Sequence, residues 1–232
     1  MPRIDAVVLG RFDGAPVRLR YGFFFAAAIL TFPIWRTFRS ADLVMAAIAT
    51  VILFLSILAH ELAHAVVGRY FDVPIRWIEV NVYGGLVSFL VRPKSRPRDL
   101  AITVAGPAVN FALGWAALLG LEVLTRTPPS AMDWEQALLV EVLRILTYVN
   151  VGLCIVNLLP GFPLDGGRLL YLLLDGRLGH RAATQVVGGC GTFFAAISTL
   201  VLIVTAISGF PIWSPPEFRP NWKAVRSAGR SG

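Results

Sequence analysis

Five apolar segments, each near the length that crosses a lipid bilayer, leave little room for any architecture other than a membrane-embedded one. A hydrocarbon core about 30 Å thick takes roughly 20 helical residues. The segments run Tyr21–Trp35, Leu43–Val67, Leu100–Leu124, Ala137–Leu159 and Val186–Ile207, and the first is short and contains Pro33. Of the 232 residues, 56% are hydrophobic and only 15% charged, which is too little charge to cover a water-facing surface. We therefore expect an all-α polytopic membrane protein with about five to six transmembrane helices and a small β-hairpin or sheet insertion between the second and third. The expected units are a cytoplasmic N-terminal segment over 1–20, a membrane-embedded domain over 21–209 and a polar tail over 210–232. Cys154 and Cys190 both lie inside apolar segments, and no disulfide is inferred from them.

The formal net charge is +7. Nucleic acid is not the implied partner, because the basic residues flank apolar runs instead of lining one polar face. Arg3, Arg11, Arg18 and Arg20 precede the first segment, and Arg69, Arg76, Arg92, Lys94, Arg96 and Arg98 fill the connection between the second and third. Arg168, Arg177 and Arg181 follow the fourth, whereas Glu122, Arg126, Asp133 and Glu135 make the remaining connection mostly acidic. By the positive-inside rule, the N-terminus and the 69–98 and 161–185 connections face the cytoplasm. Five spans would leave the C-terminus outside, yet the tail carries Arg219, Lys223, Arg226 and Arg230. Span count and tail charge thus disagree.

Within the 69–98 connection, Ile78, Val80 and Val82 alternate with Glu79 and Asn81, followed by Tyr83-Gly84-Gly85 and Leu86-Val87-Ser88-Phe89. Period-two alternation ending on a glycine turn predicts a short hairpin at about 74–92. Such a hairpin is either a surface feature or an edge strand that pairs with an extended peptide.

The second apolar segment contains His60-Glu61-Leu62-Ala63-His64. Residues four apart share one helix face, so both imidazoles can reach one metal ion. Glu61, one residue on, can hold and deprotonate a water at that metal. Zinc is the expected ion, one per chain, since imidazole nitrogens, a carboxylate oxygen and an open position form a catalytic zinc set. The lipid setting sharpens the reading: an ionised group at mid-bilayer costs about 3 kcal/mol or more, so buried ionisable residues there are functional by default. If the span ends near Arg69, His60 lies roughly 13 Å inside the cytoplasmic boundary.

The set needs a third protein ligand. Glu141 and Arg144 in the fourth segment are three apart and can pair with each other, and they lie near its outer end. Asp165 follows the same segment at its cytoplasmic end, in Asn157-Leu-Leu-Pro160-Gly-Phe-Pro163-Leu-Asp165-Gly166-Gly167. Prolines and glycines break the helix there, and non-helical backbone at membrane depth is tolerated only where protein buries it or a wet cavity lies beside it. Asp165 is the leading ligand candidate, with a helix cap as the alternative. Gly106, Asn110 and Gly114 are spaced by four and lie on one face of the third segment, a pattern that permits close helix packing. Asn110 can also hydrogen-bond toward the metal.

Three separated motifs, His60-Glu-Leu-Ala-His64, Gly106-Pro-Ala-Val-Asn110 and the 157–167 stretch, in this order and spacing, resemble the site-2 protease family of intramembrane metalloproteases. The resemblance covers roughly residues 20–205. It implies zinc ligation by His60, His64 and Asp165, a catalytic carboxylate at Glu61, and Asn157 beside the site as an oxyanion donor. It also implies that the hairpin around Gly84 and Gly85 guides substrate. The expected partners are the lipid bilayer and a transmembrane-protein or signal-peptide substrate; oligomeric state, a homo-oligomer included, is left open. The expected setting is a bacterial or archaeal cell membrane with the site toward the cytoplasm. The expected form is compact, without the PDZ or CBS module that family members often carry. Two other functions use the same residues: a membrane metal transporter with His60, His64 and Asp165 as a transit site, and a catalytically inactive membrane scaffold. Neither requires a glutamate at position 61.

Overall fold

The computed structural model describes residues 5–126, 128–207 and 218–229. The elements in chain order are β1 (Ala6–Phe12), β2 (Ala15–Arg20), α1 (Gly22–Trp35), α2 (Ser40–Tyr70), β3 (Ile75–Asn81), β4 (Gly84–Phe89), α3 (Arg96–Leu124), α4 (Trp134–Asn157), α5 (Asp165–Ile207) and α6 (Phe218–Gly229). Among the described residues, α2, α3, α4 and α5 are long and apolar enough to cross a membrane, and the protein is a multi-pass membrane protein. The segment expected as a first span is α1, a helix of 14 residues. At 1.5 Å per residue it reaches only about 21 Å, short of the bilayer core. The expected tail boundary near 210 lies outside the described residues, and residues 218–229 of that tail form α6.

Local sequence fixes several of the element ends. Asp133 and Gln136 form a reciprocal capping box: Gln136 N–H donates to Asp133 Oδ1 at 2.8 Å and Asp133 N–H donates to Gln136 Oε1 at 3.4 Å, which sets the start of α4. Arg144 donates to Glu141 Oε1 at 2.6 Å, so this charged pair on α4 is self-satisfied. α5 is broken at Gly179, whose φ of 78° and ψ of 162° suit glycine alone. Its second limb doubles back on the first. Tyr171 and His180, nine positions apart, hydrogen-bond at 2.8 Å, and Gly191 packs against Gly161, where an added Cβ would meet Gly191 Cα at 2.5 Å.

The strands form one mixed sheet in the order β1-β2-β3-β4. β2 runs parallel to β3, with Val17, Arg18 and Leu19 opposite Ile78, Glu79 and Val80. The N-terminal segment over 1–20 thus supplies two strands, β1 and β2, that extend the 69–98 hairpin into a four-stranded sheet. The register of β3 with β4 pairs Asn81 with Gly84. The turn is therefore Val82-Tyr83, and the two glycines open β4 instead of forming the turn. The sheet lies on the helices: Ile78 is fully buried with Ala15, Val17 and Ala65, and Val80 with Phe23, Ala27, Leu53 and Ile57. This packing presses β4 against the C-terminal part of α2, with Gly85 beside Glu61 and Phe89 beside Gly68. The sheet also brings the N-terminal strands and the basic 69–98 connection to one side, as their shared charge requires.

Truncating Ile78, which joins the sheet to α2, should cost about 2–5 kcal/mol. Ile78→Ala should lower the thermal midpoint in detergent well below that of the unvaried chain, and equal midpoints would contradict this packing account.

Candidate metal centre

His60 and His64 lie on the inner face of α2, both buried. The four-residue spacing brings their ring centroids to 4.7 Å and their Nε2 atoms to 3.1 Å. Asp165, the first residue of α5, places Oδ2 at 3.0 Å from His60 Nε2 and 3.3 Å from His64 Nε2. The carboxylate also stands at the N-terminal end of its helix, where the backbone dipole favours an anion.

The outer nitrogens of the two rings settle what the inner ones carry. His64 Nδ1 lies 2.6 Å from the Ile102 carbonyl oxygen, which can only accept. His60 Nδ1 contacts Asn110 Oδ1. The Asn110 amide is oriented by its other end, which donates to Asn150 Oδ1 at 2.8 Å and toward the Ser56 carbonyl at 3.4 Å. Asn150 in turn donates to Ser56 Oγ at 3.0 Å and to the Leu146 carbonyl at 2.9 Å. Both Nδ1 atoms are therefore donors, and in the neutral rings both Nε2 atoms present lone pairs. Two lone pairs and a carboxylate oxygen face one another in a buried site, an arrangement that calls for a cation at their centre.

The triangle has edges of 3.0, 3.1 and 3.3 Å. Donors bonded tetrahedrally to zinc at about 2.0–2.1 Å stand roughly 3.3 Å apart. The donor set and its spacing fit zinc with one position left open. Among the described residues, this is the one group of three or more such side chains placed to share an ion, with all ligand atoms within 4.8 Å.

Glycines let the neighbouring elements close on the site. A side chain at Gly106 of α3 would overlap both imidazoles, with an added Cβ 2.7 Å from His60 Cδ2. Gly114, two turns on, packs against Val151 and Asn150 of α4. The small-residue stripe thus serves packing, while Asn110 within it binds His60. Glu61 is buried, and its carboxylate lies against Gly85 of β4, where any side chain would collide with it. Gly84 has φ 118° and meets nothing nearby, so its role is backbone conformation at the strand start. Asn157 ends α4 half-buried, and no hydrogen bond joins its side chain to the other sequence-identified residues.

Helix α5 is held to α3 by two ion pairs, Arg168–Asp99 at 2.7 Å and Arg96–Asp175 at 2.8 Å. Gly166 and Gly167 lie inside the first turn of α5, where a Cβ would strike the Leu158 and Gly161 carbonyls respectively. They allow the helix to start tight against the broken segment. Sequence reasoning missed Asn150 and Ser56. Asn150 carried a visible signal, a lone amide amid apolar residues of a spanning helix. The Ile102 carbonyl carried none, since any residue supplies one.

The site-2 protease from Methanocaldococcus jannaschii superposes with a TM-score of 0.62 over 97% of this chain and 94% of that one, at 22% identity, and shares its fold. The chain belongs to peptidase family M50, whose family model matches residues 48–132 and 128–201. These stretches contain all three motifs that carried the resemblance. Rip3 of Mycobacterium tuberculosis is 37% identical over 165 residues, 69% of this chain and 38% of that protein. A zinc metalloprotease of Methanocaldococcus jannaschii is 30% identical over 154 residues, 66% of this chain and 42% of that protein. Stage IV sporulation protein FB of Bacillus subtilis is 31% identical over 140 residues, 60% of this chain and 44% of that protein. The chain spans less than half the length of these curated relatives.

Groups that orient a ligating imidazole typically carry about 10–100-fold in metal affinity. Asn150→Ala should therefore weaken zinc binding by about tenfold, measured by chelator competition, although it touches no ligand. Unchanged affinity would show that the amide chain does not orient His60.

Proposed function

We propose that the chain is an intramembrane zinc metalloprotease, hydrolysing peptide bonds in or near transmembrane segments of membrane-protein substrates. The observation that carries the reading is the meeting of two imidazole lone pairs and the Asp165 carboxylate one residue from a buried Glu61 that lies against a β-strand. A transit site for metal would need the three donors but not that glutamate.

His60, His64 and Asp165 hold the ion, and the catalytic domain extends over 21–209. When bound, zinc supplies Lewis acidity, which acidifies water and polarises a carbonyl. Glu61 takes the proton of the attacking water and passes it to the leaving amine, acting in turn as base and acid. Asn157, at the end of α4, donates a hydrogen bond to the oxygen on which negative charge develops. A substrate helix hides its carbonyls in its own hydrogen-bond ladder and has to unwind locally. The β4 edge around Gly84 and Gly85 accepts the unwound segment by strand pairing and delivers it beside Glu61. Water and the site both open toward the side of the basic connections, which is the cytoplasm under the positive-inside rule. Substrates are single-span membrane proteins or signal-peptide remnants.

Co-expression with candidate single-span substrates tests the reading. Glu61→Gln should abolish fragment release, a loss of at least about a hundredfold for removal of a general base, while zinc content remains that of the unvaried chain. Retained cleavage would rule out Glu61 as the proton carrier, and retained metal transport without any cleavage would favour a carrier.

A further inference from the structure

Helix α6 reaches back to the segment that presents Asp165. Asn221 on α6 is fully buried, and its side-chain amide grips the backbone of Phe162 on both sides. Phe162 N–H donates to Asn221 Oδ1 at 2.8 Å, and Asn221 Nδ2 donates to the Phe162 carbonyl at 2.5 Å. This is the pairing a neighbouring β-strand would supply, delivered by one side chain.

The setting makes that pairing consequential. The break between α4 and α5 covers residues 158–164, and its end must lie level with His60, since Asp165 Oδ2 is 3.0 Å from that ring. His60 stands ten positions before the end of α2, about 15 Å along the helix. At such depth no bulk water replaces a missing partner, and every orphaned backbone group is costly. Most of the segment ties to itself or to its helices: Gly161 N–H donates to Leu159 O at 2.9 Å, Leu164 N–H to Gly161 O at 2.9 Å, and Arg168 N–H to Leu164 O at 3.1 Å. Phe162, three residues before Asp165, has its two backbone groups met by Asn221.

Three glycines make room for this contact. Gly191 on the second limb of α5 meets Asn221 so closely that an added Cβ would overlap the amide, and Gly161 packs on Gly191. A Cβ at Gly188 would lie 2.9 Å from the Asn221 carbonyl oxygen and 3.0 Å from Ala224 Cβ. The surface between α5 and α6 is thus shaped around one amide, while Arg219, Lys223 and Arg226 of α6 stay exposed.

We infer that Asn221 is a positioning residue of the metal centre: by clamping Phe162 it fixes the broken segment and so holds the Asp165 carboxylate at the two imidazoles. The inference rests on the metal-centre reading given above. It assigns the C-terminal helix a part in metal binding that its own basic, ligand-free sequence does not announce.

The test uses the full chain in detergent loaded with cobalt(II), whose visible bands report ligand geometry, together with zinc affinity by chelator competition. Asn221→Ala should weaken zinc by about tenfold, the lower end for groups that orient ligands, and shift or broaden the cobalt bands. Gly191→Ala, which crowds the amide without removing it, should act in the same direction. Lys223→Ala on the exposed face of α6 should match the unvaried chain in both measurements, and circular dichroism should report native helix content for each variant. Cobalt bands and zinc affinity indistinguishable from the unvaried chain in a folded Asn221→Ala or Gly191→Ala protein would overturn the inference while leaving the metal centre standing. An unvaried chain that takes up no cobalt would overturn both.

Discussion

Two imidazole nitrogens held with their lone pairs toward each other, and toward a carboxylate, are the constraint around which the molecule is organised. The arrangement is unfavourable by itself. Neutral rings 3.1 Å apart at Nε2 repel, and a carboxylate oxygen 3.0 Å away adds to the repulsion. A divalent cation converts the repulsion into coordination, so the site is built to be completed by one. What keeps the geometry from relaxing is the hold on the far side of each ring, by the Ile102 carbonyl on His64 and by Asn110 on His60.

Helices α2, α3 and α4 each contribute to that hold, and each contribution depends on the lipid setting. The four-residue spacing on α2 aligns the rings; α3 brings Gly106 against them and Asn110 behind one of them; α4 supplies Asn150, which accepts directly from the Asn110 amide and is itself anchored by donating to Ser56 Oγ. In water such amides would exchange partners freely. In the apolar interior an unpaired amide is costly, so the chain of donors has one satisfied arrangement. The same argument explains the glycines. Backbone or polar atoms come within contact distance of Gly85, Gly106 and Gly191, and a methyl group at any of them would push an element away from the site.

Much of the site was legible in the sequence. His60, Glu61 and His64 follow from spacing alone, because helical period and donor chemistry leave few alternatives. Asp165 followed from its place in a broken segment, and the structure brings it to the two rings. The hairpin was legible from alternation, but its turn was misplaced by one step: Gly84 and Gly85 read as turn residues, whereas Val82-Tyr83 makes the turn and Gly85 is needed beside Glu61. The N-terminal strands were not read, although Asp13 and Gly14, both with positive φ, are a hairpin-turn pair; β1 is mostly exposed and lacks the alternation that marked β3. The reversal at Gly179 was hidden because the first limb of α5 carries Arg168, Asp175 and Arg177 among its apolar residues and so read as part of the basic 161–185 connection instead of as a helix. Partners acting through backbone, such as the Ile102 carbonyl and Phe162, leave no mark on residue identity at all.

The most direct test of the central claim is X-ray absorption at the zinc edge on the purified full chain in lipid nanodiscs. The spectrum should show one zinc per chain, bound by two imidazole nitrogens and by oxygen at about 2.0–2.2 Å. Asp165→Ala should lose one oxygen neighbour. A chain without stoichiometric zinc, a shell containing cysteine sulfur near about 2.3 Å, or a shell unaffected by Asp165→Ala would contradict it.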